Sequence, residues 1–444
     1  MNTRSSASRI RTAAVDLRSR RRLLLAAFVV LTSSLAVLTH VPRAAADTTP
    51  NVGIVCTAGT GGDPTHPIFD LTTKTGYISL PDGNTAFMWG YSAGFGDFQH
   101  PGPVLCVDEG DEVTVILHNT FAERVSVAFP GQHDVLADGV PAGPEHDNQG
   151  RLTSTTTTAD PNGGTLTYTF TADHPGTFLY ESGTNPEKQV QMGLFGALIV
   201  RPAAGADHAY NRADSSFDPT EEFMVLLSEI DPYQHQAVEQ GKSFNMNNYH
   251  PRYWLINGRG FPDSIADNGA AWLPSQPYGA LAQIYPYDAT DHPDYSLARY
   301  LNVGTEDYPM HPHGNNGRVI GRDGNPLEGE AGEDLSFEKF DINIGPGQTW
   351  DVRFRWYDAE NYSPSNPVPV TVPSLANSVI GTFYSGSPYL GSQETLPTGT
   401  PTLNQCGEFY IISHNHALFQ ITSWGATMTG PITYMRIDPP TGNC

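Results

Sequence analysis

The chain has 444 residues, with 24 Lys and Arg against 47 Asp and Glu, 44 Gly, 36 Pro and four Cys. Gly and Pro together fill 80 positions, about 18 % against roughly 12 % in average proteins. With 39 % hydrophobic and 10 % aromatic residues, this excludes a disordered chain and predicts a folded one rich in turns.

Eight arginines lie in residues 1–43 and bracket an apolar run from Leu23 to Val41, which closes on Pro42-Arg43-Ala44-Ala45-Ala46. Charge, apolar run and small-residue end read as a signal peptide over 1–46. The alternative is a retained anchor helix, but Thr32, Ser33, Ser34 and Thr39 dilute a run already short for a membrane span. Ser19-Arg20-Arg21-Arg22-Leu23-Leu24-Leu25 also looks like a twin-arginine signal; ordinary basic leaders contain such pairs, so both export routes stay open. The expected location is secreted or extracytoplasmic. Removing residues 1–46 takes away eight basic residues and Asp16, leaving 16 basic against 46 acidic, a net charge near −30. Such a field repels phosphate backbones and anionic lipid, so no nucleic acid and, after signal cleavage, no membrane are expected as partners.

All four cysteines, Cys56, Cys106, Cys406 and Cys444, fall in the exported part, an even number suited to disulfides. Pairing within each half gives Cys56–Cys106 and Cys406–Cys444, the favoured one of three connectivities. Val113–Leu117, Leu166–Phe170 and Gly196–Val200 are short β-branched or aromatic runs bounded by turn residues. Residues 203–220 carry few large apolar side chains and contain the expected linker, 204–217. Strands resume at Phe223–Leu227, Trp350–Arg355 and Glu408–Ile412, with loops at 321–334 and 388–401. No long stretch with helical period competes, so the expected fold class is all-β, built of sandwiches or barrels, with domains over 47–203 and 218–444.

Pro101-Gly102-Pro103-Val104-Leu105 followed by Glu109–Val115, then Pro175–Tyr180 with Met192–Val200, resembles the first cupredoxin domain of multicopper oxidases. Leu255–Gly258, Arg299–Asn302 and Gly347–Val352 resemble landmarks of a later domain of that superfamily. The resemblance implies two cupredoxin-like Greek-key β-sandwich domains. It also implies copper, and a homotrimer, since two-domain relatives commonly form trimers with metal ligands contributed across subunits.

The copper motifs survive only in part. Where the family has H-W-H-G, this chain has Ala128-Phe129-Pro130-Gly131; where it has Y-H-S-H, it has Tyr180-Glu181-Ser182-Gly183. The H-P-x-H-x-H-G motif appears as Tyr308-Pro309-Met310-His311-Pro312-His313-Gly314, and H-C-H-x-x-x-H as His414-Asn415-His416 with Gln420 last. A blue copper site needs a thiolate and two imidazoles; the three positions hold Tyr308, Asn415 and Gln420, and Met428 offers only a weak thioether. Four imidazoles remain, His311, His313, His414 and His416, in two i, i+2 pairs whose members share a face if the segments are extended. They suit copper or zinc, and copper is the expected cofactor of a multicopper-oxidase-like oxidoreductase. The alternative is a non-catalytic cupredoxin-fold scaffold or binding protein in which they are vestigial.

The other candidates read as structural. His66, His100, His118, His133, His146 and His174 are expected on surfaces or loops, Ser228–Asp231 and Glu328–Asp334 as solvated acidic faces, Met192 and Met246 as core or edge residues, and Trp89, Trp254, Trp350 and Trp424 as core. No particular substrate, redox partner or catalytic residue follows from these motifs.

Overall fold

A computed structural model describes residues 51–357, 369–371, 401–403 and 409–438. The expected signal peptide, Cys406, Cys444 and the 388–401 loop lie outside the described residues, except for positions 401–403. Strands dominate, as expected. In the first half, a four-stranded sheet of Cys56–Thr57, Val104–Asp108, Phe195–Arg201 and Gly176–Glu181 faces a six-stranded sheet. The latter runs Thr85–Ala93, Ile68–Ser79, Glu112–Asn119, Gly164–Thr171, Leu136–Ala137 and Val140–Pro141. Alternation sets the core between them: Val113, Val115 and Leu117 point inward while Thr114, Ile116 and His118 are partly exposed.

The second half repeats the plan. A seven-stranded sheet contains Tyr253–Ile256, Glu222–Ile230, Ser296–Asn302, Thr349–Phe354 and Gly317–Arg322. A five-stranded sheet follows the order Ala282–Ile284, Ile432–Ile437, Phe409–Asn415, Tyr308–Pro312, Ile342–Ile344. Phe223, Val225, Tyr300, Trp350, Tyr308, Met310 and Met435 fill the space between them. The loop expected at 321–334 begins as a tight hairpin. Arg322 pairs with Asn325, and Asp323 and Gly324 take φ of 52° and 72°, the doubly left-handed turn that matches strand twist.

Phe195–Arg201 and Glu222–Ile230 read as continuous apolar runs because both their faces are covered. Leu198 and Val200 enter the first core, Val225 and Leu227 the second, while Phe195, Ala197, Ile199, Met224 and Leu226 pack against one another between the halves. A buried ionic network crosses the same boundary. Arg299, fully buried, donates through Nε to Glu222 Oε1 at 2.5 Å and through Nη1 to Thr177 Oγ1 at 2.8 Å. Thr177 donates to Asp351 at 2.6 Å, as does the Tyr210 hydroxyl. Burial penalises the Glu222 carboxylate, but Arg299 and Arg201 outweigh it and hold its pKa below the usual value. The 204–217 stretch is packed down through Ala209, Tyr210 and Phe217 against Leu297 and Ile320. Cys56 and Cys106 form the expected disulfide, on adjacent parallel strands with Cα atoms 5.5 Å apart.

Some expectations are overturned. His100 is not a surface residue: it is 1 % exposed, edge-on to Phe195 at 5.2 Å, with both ring nitrogens unpartnered. Ser228, Glu229 and Asp231 are buried rather than solvated, because Glu222–Ile230 is a central strand and Asp231 caps the helix Pro232–Glu239 by accepting from Tyr233 N. Trp424 is 47 % exposed and lies beneath the Arg252 guanidinium, 5.5 Å from its ring centroid. Met246 is 36 % exposed, whereas Met192 is core, and 328–334 is mostly exposed, as expected.

Candidate metal centre

Tyr308–Pro312 and Phe409–Asn415 are antiparallel neighbours in which His311 lies directly opposite His414. The ladder continues past both strand ends, His313 N donating to Ile412 O at 2.9 Å and His416 N to Pro309 O at 2.7 Å. Period-two alternation therefore turns His311, His313, His414 and His416 to one face, while Tyr308, Met310, Ser413 and Asn415 take the buried register. Ring centroids stand 4.7 Å apart for His311–His313, 5.0 Å for His313–His414, 5.3 Å for His311–His416 and 5.6 Å for His414–His416. The expected quartet thus forms one cluster from residues a hundred positions apart.

Its tautomers are partly fixed. His311 Nδ1 donates to Phe340 O at 2.6 Å and His414 Nδ1 to Asn415 O at 2.9 Å. A carbonyl can only accept, so both neutral rings keep the Nε2 lone pair for another partner. His313 Nε2 lies 3.0 Å from His414 Nε2. Two nitrogens bound about 2.0 Å from one ion stand roughly 2.8–3.3 Å apart for right-angled to tetrahedral geometry, so this spacing matches two ligands of a single ion. Burial first, then the neighbouring imidazoles, lower the His313 pKa; burial also lowers that of His414. Imidazoles suit copper or zinc, and in this geometry His313 and His414 stand at ligand spacing while His311 and His416 would have to close in on the ion. The face is open, with His313 and His416 exposed and Phe340, Leu418 and Phe419 each about 60 % exposed nearby.

Beneath the cluster, the blue-copper positions have become a hydrogen-bond network. The Tyr308 hydroxyl donates to Glu229 Oε2 at 2.6 Å, and Glu229 also accepts from Thr305 and Tyr249. Burial raises the Glu229 pKa. Asn415 Nδ2 donates to Gln420 Oε1; Gln420 Nε2 then donates to Glu306 Oε2 at 2.6 Å, which accepts Trp254 Nε1 at 2.8 Å. Amide, phenol and carboxylate are satisfied by one another. Glu229, Glu306 and Gln420 are the residues that sequence reasoning missed as a unit, since only the fold joins positions separated by 79 and 114 residues. Met428 packs with Phe261 and Ile412 instead. Beside the network opens a cleft of about 500 Å³ lined by His250, Arg252, Trp254, Glu306, Phe419 and Trp424.

The first-half motifs also meet, but without ligands. Ala128 and Glu181 bridge through backbone bonds of 2.7 and 3.1 Å, and Phe129 packs on Tyr168 and Phe170. A Cβ at Gly183 would lie 2.4 Å from Thr155 Oγ1, and the hydroxyls of Ser126, Ser154 and Thr184 bond one another at 2.8–3.4 Å. A histidine does not fit at 183 without displacing Thr155. Glu181 remains as an oxygen donor, its pKa raised by burial.

A family model described as multicopper oxidase matches residues 73–205. L-ascorbate oxidase of Cucurbita pepo var. melopepo is 33 % identical over 175 residues, 38 % of this chain and 28 % of that protein. Copper resistance protein A of Escherichia coli is 27 % identical over 217 residues, 46 % of this chain and 30 % of that protein. The matched stretches thus span less than a third of these relatives' length. In three dimensions, a blue copper oxidase from Nitrosomonas europaea superposes with a TM-score of 0.55 at 18 % identity, over 84 % of this chain and 86 % of the other. That likeness establishes the fold, two cupredoxin-like β-sandwiches. The four histidines lie outside the segment matched by the family model.

Proposed function

The chain belongs to the multicopper oxidase superfamily, and from that premise we propose that it is an exported copper-binding protein with a His-ligated centre at His311, His313, His414 and His416 and no blue copper site. The observation that carries this reading is the convergence of four imidazoles on one sheet face with two ring nitrogens 3.0 Å apart. Bound copper supplies a one-electron couple. The chain's own residues do the rest: the Phe340 and Asn415 carbonyls orient His311 and His414, and His313, with its Nε2 3.0 Å from that of His414, would hold the ion together with it. Export is supported by the leader-like residues 1–46 and by the Cys56–Cys106 disulfide.

Oxidoreductase activity is the accompanying proposal. The cleft beside Glu306, with Arg252, Trp254, Phe419 and Trp424 on its walls, suits a small aromatic compound such as a phenol or an aromatic amine. The exposed apolar rim of the histidine face supports the homotrimer reading, with a second copy covering this face. Copper-dependent oxidation of such compounds, abolished by His311→Ala or His414→Ala, tests the enzyme reading. No oxidation with copper loaded would favour the scaffold reading instead, and activity indifferent to both substitutions would refute the histidine centre as its seat.

A further inference from the structure

A second cluster of metal-type donors lies away from the histidine face. Asp218, Glu221 and His292 each present one ligand atom, and these atoms all lie within 4.8 Å of one another. Asp218 and Glu221 frame the short turn Pro219–Glu221 that leads into Glu222–Ile230; His292 comes from the loop before Ser296–Asn302. Asp218 Oδ1 caps the turn, accepting from Thr220 N at 2.8 Å and Thr220 Oγ1 at 2.7 Å, which frees Oδ2. Glu221 is only 5 % exposed, and its Oε1 accepts from Tyr285 N at 2.9 Å. His292 Nδ1 is buried with no hydrogen-bond partner, and its ring is held flat on Tyr285 at 4.5 Å and 8°.

A buried imidazole nitrogen without a partner, in a ring grouped with two carboxylates, is costly unless something satisfies it. Three further carboxylates, Asp218, Asp438 and Asp294, surround Glu221. The nearby Arg436 is engaged by Asp438 at 2.6 Å. We propose that Asp218, Glu221 and His292 form a binding site for a divalent cation of the zinc class, separate from the four-histidine centre. One imidazole and two carboxylates are a three-ligand set for such an ion, with a fourth position left for water. Ligand atoms around it stand roughly 3.3 Å apart, so closing from 4.8 Å needs only small side-chain rotations. The ion would tie the entry of the second sandwich to the loop ahead of its central strand.

The test uses Zn²⁺ and the full chain carrying His311→Ala/His414→Ala, so that the histidine face is silent. The exposed grouping His133, Asp173 and His174 is controlled by adding His174→Ala. Equilibrium dialysis should show about one zinc per chain that survives His174→Ala. His292→Ala with Asp218→Asn should weaken it at least 100-fold at unchanged circular dichroism. A zinc-induced rise in melting temperature should vanish with the same pair. Zinc that persists in the His292→Ala/Asp218→Asn protein, that is lost with His174→Ala, or that never binds the His311→Ala/His414→Ala protein overturns the assignment. If the pair fails to fold, His292→Gln alone, a change in a surface loop, gives the same readout.

Discussion

Acid should destabilise this protein through two histidines that no solvent reaches. Burial lowers the His100 pKa to about 3, with His235 a smaller cause, and lowers that of His235 to about 4 against weaker opposing effects from the Phe87 carbonyl and Asp231. Both folded values lie below the unfolded value of about 6.5. Between these limits the unfolded chain binds more protons, so the stability is fully present above about pH 6.5 and falls as pH drops toward 3–4. At pH 4.5 an unfolded histidine is protonated about a hundredfold over, worth about 2.7 kcal/mol, while His100 in the folded chain stays neutral. The two residues together predict a loss of about 5 kcal/mol between pH 7.5 and 4.5. Urea unfolding followed by tryptophan fluorescence at both pH values measures it, with His100→Leu as the perturbation. The variant should lose about 2.7 kcal/mol less than wild type over that interval. An unchanged pH dependence in the variant would refute the argument.

Other consequences follow from the network and the disulfide. Arg299→Met should cost about 3–5 kcal/mol in denaturant unfolding, because it strands Asp351 and half of Glu222's pairing in a buried site. Replacing Cys56 and Cys106 by Ala opens a crosslink across 50 residues of sequence and should lower stability by about 2–4 kcal/mol in the same assay. Asn415→Cys should not produce an intense blue absorption band on copper loading, since Tyr308 and Gln420 supply no imidazole and Tyr308 is tied to Glu229. A blue band from that single change would show that the network yields to copper.

Much of the fold was legible because its strands carry their own signal. Val113–Leu117 alternates, and Phe223–Leu227 is apolar throughout because a strand between two cores needs no polar face. That two-sided burial also misled the reading of Ser228–Asp231, whose acids look solvated until the sheet order places them inside. The four histidines could be placed on two shared faces from i, i+2 spacing. Their meeting depended on register, His311 opposite His414, which spacing alone does not contain. His100 carries no periodic signal at all; it is buried because Phe195 and the Gly193 backbone close over it. Likewise, Glu306 and Gln420, or Glu221 and His292, come together only through long-range topology.

The most direct test of the central claim is the copper content of the purified protein after loading and desalting, with electron paramagnetic resonance on the same sample. The account predicts about one or two retained coppers per chain with nitrogen ligation and no blue-copper signature, lost in the His311→Ala/His414→Ala variant. Wild-type protein that retains no copper, or a double variant that retains the same spectrum, would contradict it.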